Sequence, residues 1–212
     1  LYRNAGLKGG HVILLNGKDS EYYEATRMQA MQDLNAYPGG LQIGGGVCPE
    51  NAEEYLQAGA SHVIVTSYVF KDGKLSWENL RKMEEAAGKE NLVLDLSCRR
   101  KDDQYFIVTD RWQKFTEEKV TLKLMEKLGG YCNEFLIHAV DVEGKANGVE
   151  VPLAKLLGEY EGHPVTYAGG VGSMEDIRIL KKATCGKVDV TVGSALDLFG
   201  GNIPFTELTG EL

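Results

Sequence analysis

Short apolar runs alternate along this chain with longer stretches in which apolar residues recur at helical spacing. The apolar runs are His11–Leu15, Leu41–Ile43, His62–Thr66, Leu92–Leu96, Glu134–Val140, Pro164–Ala168 and Val188–Val192. Most are nearly continuous in Val, Ile and Leu, the pattern of strands covered on both faces. The stretches between them read as amphipathic helices: Glu21–Asn35, Glu50–Gln57, Trp77–Ala87, Glu118–Leu128, Leu153–Tyr160 and Met174–Lys182. Start signals support several of them. Pro49 sits where a first helical turn tolerates proline, Ser76 precedes a helix, and Ser173 with Asp176 resembles a capping box.

Regular strand–helix alternation predicts parallel βαβ units. Seven such strands fit either an open doubly wound sheet or a closed barrel that lacks one unit. An internal repeat favours the barrel. Leu41–Phe70 and Thr166–Phe199 each read as strand, Gly-Gly-Val turn, helix, strand and Ser-containing turn. Val47 matches Val171 at an offset of 124, and Ser67 matches Ser194 at an offset of 127. Two such units about half of a ~250-residue barrel apart suggest a duplicated half-barrel. The expectation is an α/β fold, a (β/α)8 TIM barrel built from two half-barrel repeats. It forms one domain over residues 1–212, with the first βα unit largely absent from this chain. No Pro/Gly/Ser linker interrupts it.

Composition narrows the partners. The 212 residues carry a formal charge of −8, which argues against nucleic acid or an anionic membrane. A phosphorylated small molecule stays open, because a nest of backbone N–H groups binds an anion even in an acidic protein. The four cysteines form no CxxC pair, and none of the histidines has metal-ligand spacing. Free thiols in a reducing compartment and no metal are therefore expected. No apolar run is long enough for a membrane-spanning helix.

The strongest chemical signal is a pair of glycine turns. Gly44-Gly45-Gly46 and Gly169-Gly170 each follow a strand and open a helix. Glycine lets backbone come close to an anion, and a helix N-terminus adds a favourable field. The next strands end in Thr66-Ser67 and Gly193-Ser194, whose N–H and hydroxyl groups can complete each grip. Tight βα turns with no ligand are the plainer reading. Two grips suit a substrate with a phosphate at each end. The second signal is the strand end His138-Ala-Val-Asp141-Val-Glu143-Gly144, where a barrel places catalytic groups. A loop or capping carboxylate is the alternative there. Asp95, in an apolar strand, either bonds a neighbouring loop or serves the site. Trp112 either stacks on a planar ligand or anchors its loop.

Together LQIGGGV, SHVIVTSYVF, LVLDLSC, IVTDRWQKF, EFLIHAVDVEGK, PVTYAGGV and VDVTVGSALDLFGGN resemble one family. It is the histidine-biosynthesis isomerase that converts the phosphoribosyl-formimino-aminoimidazole carboxamide ribotide to its ribulosyl form, in the branch typical of eukaryotes. The resemblance runs from about His11 to Asn202. It implies an Amadori-type rearrangement without cofactor or metal, by aspartate acid–base catalysis on a bis-phosphorylated substrate. It further implies a monomer in the cytoplasm, or in the plastid of a plant.

Carried over by position, Gly45, Gly46, Thr66 and Ser67 match one phosphate site, and Gly169, Gly170, Gly193 and Ser194 the other. Asp141 is the expected catalytic acid of the strand-end motif. Glu143 is its competitor, because it holds the position before glycine. Trp112 and His138 are expected substrate contacts. The family's other catalytic aspartate lies on the first strand, which nothing before His11 matches, so upstream residues are expected in the natural protein. Two other functions remain open. One is a non-catalytic bis-phosphate-binding barrel, a fragment or pseudoenzyme. The other is the related imidazole glycerol phosphate synthase cyclase, whose strand-end motif differs from HAVDVEG.

Overall fold

The computed structural model describes residues 1–145 and 147–210. The chain divides into two compact units, Leu1–Asp95 with Gly130–Asn133, and Leu96–Gly129 with Glu134–Leu212.

The first unit runs β1 (Gly10–Ile13), α1 (Tyr23–Ala36), β2 (Leu41–Gly44), α2 (Pro49–Gln57), β3 (His62–Val65), a hairpin of β4 (Phe70–Lys71) and β5 (Lys74–Leu75), α3 (Trp77–Ala87) and β6 (Leu92–Asp95). β1, β2, β3 and β6 form a parallel ladder in that order. Ile43, Val63, Leu92 and Val93 are fully buried in it, together with Leu34, Tyr55, Leu80 and Met83 from the helices. That is the burial expected of strands written as continuous apolar runs. Ser76 caps α3 by accepting the Asn79 N–H at 3.3 Å, and Pro49 opens α2. The β4–β5 hairpin turns on Asp72-Gly73, both with positive φ, the conformation a two-residue turn needs to match strand twist.

The second unit opens with an antiparallel meander of β7 (Cys98–Lys101), β8 (Gln104–Thr109) and β9 (Lys114–Lys119). It continues with α4 (Leu122–Leu128), β10 (Glu134–His138), α5 (Val151–Gly158), β11 (Val165–Ala168), α6 (Met174–Ala183), β12 (Asp189–Thr191) and α7 (Phe205–Gly210). β10, β11 and β12 are parallel neighbours. Phe135, Ile137 and Tyr167 are fully buried on this ladder, as are Met125, Leu128 and Leu153 from its helices.

Among the described residues, seven parallel strands thus alternate with helices along the chain. This is the α/β pattern of a (β/α)8 barrel with one strand–helix unit fewer. No described helix is long and apolar enough to cross a membrane. The duplication is carried into the hydrogen-bond register. Gly10 opposite Leu41 recurs as Phe135 opposite Val165, at offsets of 125 and 124. Gln42 opposite His62 recurs as Thr166 opposite Asp189, at offsets of 124 and 127.

Three parts of the fold differ from the sequence reading. The segment after Ser97, for which no element was predicted, is a three-stranded sheet. Its polar composition hid it, because only one face is covered: Cys98, Tyr105 and Ile107 are buried, while Arg100 and Lys101 are charged and their turn is Asp102-Asp103. Those two aspartates take positive φ values of 50° and 58°, so a hairpin forms without a glycine. The helix expected from Glu118 begins at Leu122 instead. Glu118 and Lys119 end β9, and Thr121 then caps the helix by accepting the Leu124 N–H at 3.2 Å. Finally, α7 at Phe205–Gly210 was not anticipated; Phe205 and Leu208 bury its short apolar side.

Candidate active site

In the first unit the glycine turn is set by a close approach. Gly45 has φ 95°, and a Cβ there would lie 2.1 Å from the Leu14 carbonyl oxygen. Only glycine allows the turn to lie against β1, where the Leu14 N–H donates to Gly44 O at 2.9 Å. Asn51 ties the turn to α2: its Oδ1 accepts the Cys48 N–H at 2.9 Å, and its Nδ2 donates to Gly46 O at 3.1 Å. Gly46 is exposed, and a Cβ on it would meet nothing within 4 Å. Beyond β3 the Thr66 hydroxyl donates to Asp95 Oδ2 at 3.1 Å. This gives the carboxylate at the end of β6 a neighbour from the next loop. Ser67 is exposed at the start of a 3-10 turn, Ser67–Val69.

The second unit repeats the approach with one difference. Gly169 has φ 113°, and its Cβ would sit 2.7 Å from Ala139 O. The Ala139 N–H donates to Ala168 O at 2.8 Å. Gly170, however, is buried. Its Cβ would fall 2.1 Å from Gly148 O and 2.9 Å from Val142 Cγ2, and the Gly148 N–H donates to Gly170 O at 3.1 Å. The loop after β10 therefore lies on this turn. At the start of α6, Ser173 Oγ accepts the Asp176 N–H at 3.2 Å and donates to Asp176 Oδ2 at 2.9 Å. The same carboxylate oxygen takes the Gly172 N–H at 3.0 Å. Gly193 and Ser194 follow β12, both exposed.

The two carboxylates after β10 have separate environments. Asp141 lies in the 3-10 turn Val140–Val142. Its Oδ1 accepts from Arg99 Nε at 2.9 Å and its Oδ2 from the Arg100 N–H at 2.7 Å, so both oxygens are engaged by β7. Glu143 instead lies with a carboxylate oxygen 2.9 Å from Nε2 of His138, the last residue of β10. His138 holds the half-buried Glu143 carboxyl below its ordinary pKa, against the upward push of burial. Trp112 packs edge-on against the imidazole, with ring centroids 4.8 Å apart, and its Nε1 donates to Ser97 Oγ at 3.2 Å. It stands in the turn between β8 and β9, where Asp110, Arg111 and Trp112 all have positive φ. Three left-handed non-glycine residues in a row are costly.

The structure thus brings Glu143, His138 and Trp112 together, and gives Asp141 to a brace with Arg99 and Arg100. A carboxylate resting on an imidazole can move a proton. Sequence reasoning missed Ser97, Arg99 and Arg100, because they lie in or beside a polar segment for which no element was predicted.

The model of the family described as histidine biosynthesis protein matches residues 1–204. A chloroplastic protein of Medicago truncatula is 52% identical over 208 residues, covering 98% of this chain and 65% of that protein. It is named 1-(5-phosphoribosyl)-5-((5-phosphoribosylamino)methylideneamino) imidazole-4-carboxamide isomerase. Proteins of the same name from Neurospora crassa and Saccharomyces cerevisiae are 46% and 38% identical, and the chain covers 77% of each. The chain therefore spans about two thirds to three quarters of these relatives' lengths. By the family match and these relatives, the chain belongs to the histidine biosynthesis protein family.

Proposed function

We propose that this protein catalyses the isomerisation for which its relatives are named: an Amadori-type conversion of the phosphoribosyl-formimino ribotide to its phosphoribulosyl form. The carrying observation is the Glu143–His138 pair at the end of β10, beside a glycine turn suited to phosphate. The ring of the aldose-derived amine must open, and a base must then take the proton from the sugar C2. The enolamine left behind tautomerises to the aminoketose. Glu143, kept ionised by His138, is fitted to take the C2 proton, and His138 to accept or return it. This moves the proton-transfer role from Asp141 to Glu143, because Asp141 spends both oxygens on β7. The resemblance assigns the other half of the acid–base work to an aspartate of the family's first strand.

The twin turns at Gly45–Gly46 and Gly169–Gly170, with Thr66, Ser67, Gly193 and Ser194, are assigned the two phosphates. At Thr66 the backbone N–H carries this role, since the hydroxyl serves Asp95. Trp112 is assigned the planar carboxamide-imidazole end of the substrate. The four free cysteines fit a reducing compartment, cytoplasmic or plastid, and the protein is assigned as a monomer. The test is turnover of the formimino ribotide by protein from the complete reading frame, with no glutaminase–cyclase present. The ribulosyl product is expected. A folded protein that binds the substrate and returns no product would sink the enzyme and leave the non-catalytic barrel.

A further inference from the structure

The residues behind the Glu143–His138 pair form a second polar cluster that the chemistry above leaves unused. Ala139 to Glu150 connect β10 to α5 and carry Glu143. The described part of this loop is held at four points. Ala139 bridges Cys98 of β7. Asp141 accepts from Arg99 and Arg100. Gly148 donates to Gly170. At the far end, the one-fifth-exposed Glu150 side chain accepts the Tyr105 O–H at 2.7 Å and lies 3.5 Å from Arg100 Nη1. The Glu150 N–H donates to the hydroxyl oxygen of the fully buried Tyr167 at 2.8 Å.

Tyr105 stands on β8, and the turn after β8 presents Trp112 to His138. One small sheet therefore touches the loop at both ends, through Trp112 near its start and Tyr105 at its finish. Glu143 lies between, next to Gly144 and ahead of Gly148, both with positive φ. The cavity beside this cluster, lined by Cys98, Arg100, Tyr105, Asp141 and Glu150 among others, has a volume of about 10 Å³. That is room for one water at most. Burial, reinforced by Glu150, pushes the Tyr105 hydroxyl far above its ordinary pKa, and it stays a donor.

We infer that Glu150 is a positioning residue for the isomerase site. With Tyr105 and Tyr167 it clamps the end of the loop, so that Glu143 stays on His138 and Gly148 stays over the Gly169–Gly170 turn. The inference rests on the isomerase reading. Releasing the clamp lengthens the free part of the loop and lets the carboxylate drift from its reacting geometry, where a shift near 1 Å is costly.

The test compares the full-length protein with Glu150→Ala, Tyr105→Phe and the double variant. Each single change should lower kcat on the order of 10-fold to 100-fold and leave KM within about threefold. The double variant should be no slower than the slower single one, because both break the same clamp. Unchanged kcat, a rise in KM alone, or additive losses would overturn the inference. Amide hydrogen exchange of residues 143–150 supplies a readout independent of turnover. Faster exchange in Glu150→Ala, confined to this loop, is expected; unchanged or molecule-wide exchange would count against the clamp. Wild-type protein that is silent in the assay would defeat the isomerase reading, and the exchange result would still decide the clamp.

Discussion

The glycine turns of the two units share a backbone and differ in what lies on them. Gly45 and Gly169 both press against the carbonyl of the preceding parallel strand, Leu14 in one unit and Ala139 in the other. The next glycine separates them: Gly46 faces open space, whereas Gly170 is covered by Gly148 and Val142. The strand ends differ in the same way. At matching register, Ile13 in β1 corresponds to His138 in β10. Of these two matching strands, β1 thus ends in an apolar residue, and β10 ends in His138 with a loop and the β7–β9 sheet beside it. On the proposed function, phosphate binding follows the repeat and proton transfer belongs to one copy.

The largest effect that can break this contrast is at Glu143. Glu143→Gln should lower kcat by on the order of 10²- to 10⁴-fold, and Asp141→Asn by about tenfold, with substrate affinity nearly kept in both. The reverse ranking in steady-state kinetics would return the catalytic role to Asp141. A pH profile sharpens the point. His138 lowers the Glu143 pKa, so in wild type the base stays ionised, and activity persists, to below the ordinary glutamate range. In His138→Asn that support is lost, the pKa rises, and the acidic limb of kcat should move to higher pH. An unmoved limb would show that another group titrates.

The glycines test the difference in cover. Gly46→Ala should cost about 1–2 kcal/mol for its left-handed backbone alone. Gly170→Ala should cost a further ~1–3 kcal/mol from overpacking against Gly148, and should weaken substrate binding. Equal losses in denaturant melts would erase the distinction. Thr66→Val removes a donor to Asp95 and should cost about 1 kcal/mol; full stability in the same melts would make that bond dispensable.

The smallest effect lies at the strand starts, where Asp189 in β12 matches His62 in β3. Asp189 is exposed at its strand start, and the partial desolvation it still undergoes, then Glu134, raise its pKa. A carboxyl with a raised folded-state pKa supports the fold fully below its unfolded pKa, and that support is lost as pH rises through the folded value. Asp189→Asn should therefore raise Tm at pH 7 by about 1–2 °C and give no gain in acid. A gain that persists in acid would have another cause.

The parallel strands were legible because burial on both faces leaves an apolar run that no other element requires. The glycine turns were legible because the same spacing occurs twice. The meander was not, because Arg99, Arg100 and Lys101 look like a solvated loop when their neighbour strands are unknown. The Asp72-Gly73 hairpin did leave a signal, an Asp-Gly pair between short apolar segments. No local pattern marks Tyr105 and Glu150 as partners, since they are 45 residues apart.

The amino-acid order by itself determined the α/β alternation, the repeat, the two glycine turns and the family, since each depends on local periodicity or on motifs that recur at fixed offsets. Tertiary structure alone gave the two carboxylates of one motif different partners, Asp141 the arginines of β7 and Glu143 His138. The reason is physical: a carboxylate's behaviour depends on which donors reach its oxygens, and Arg99 and Arg100 reach Asp141 from 42 and 41 residues away only in the folded chain.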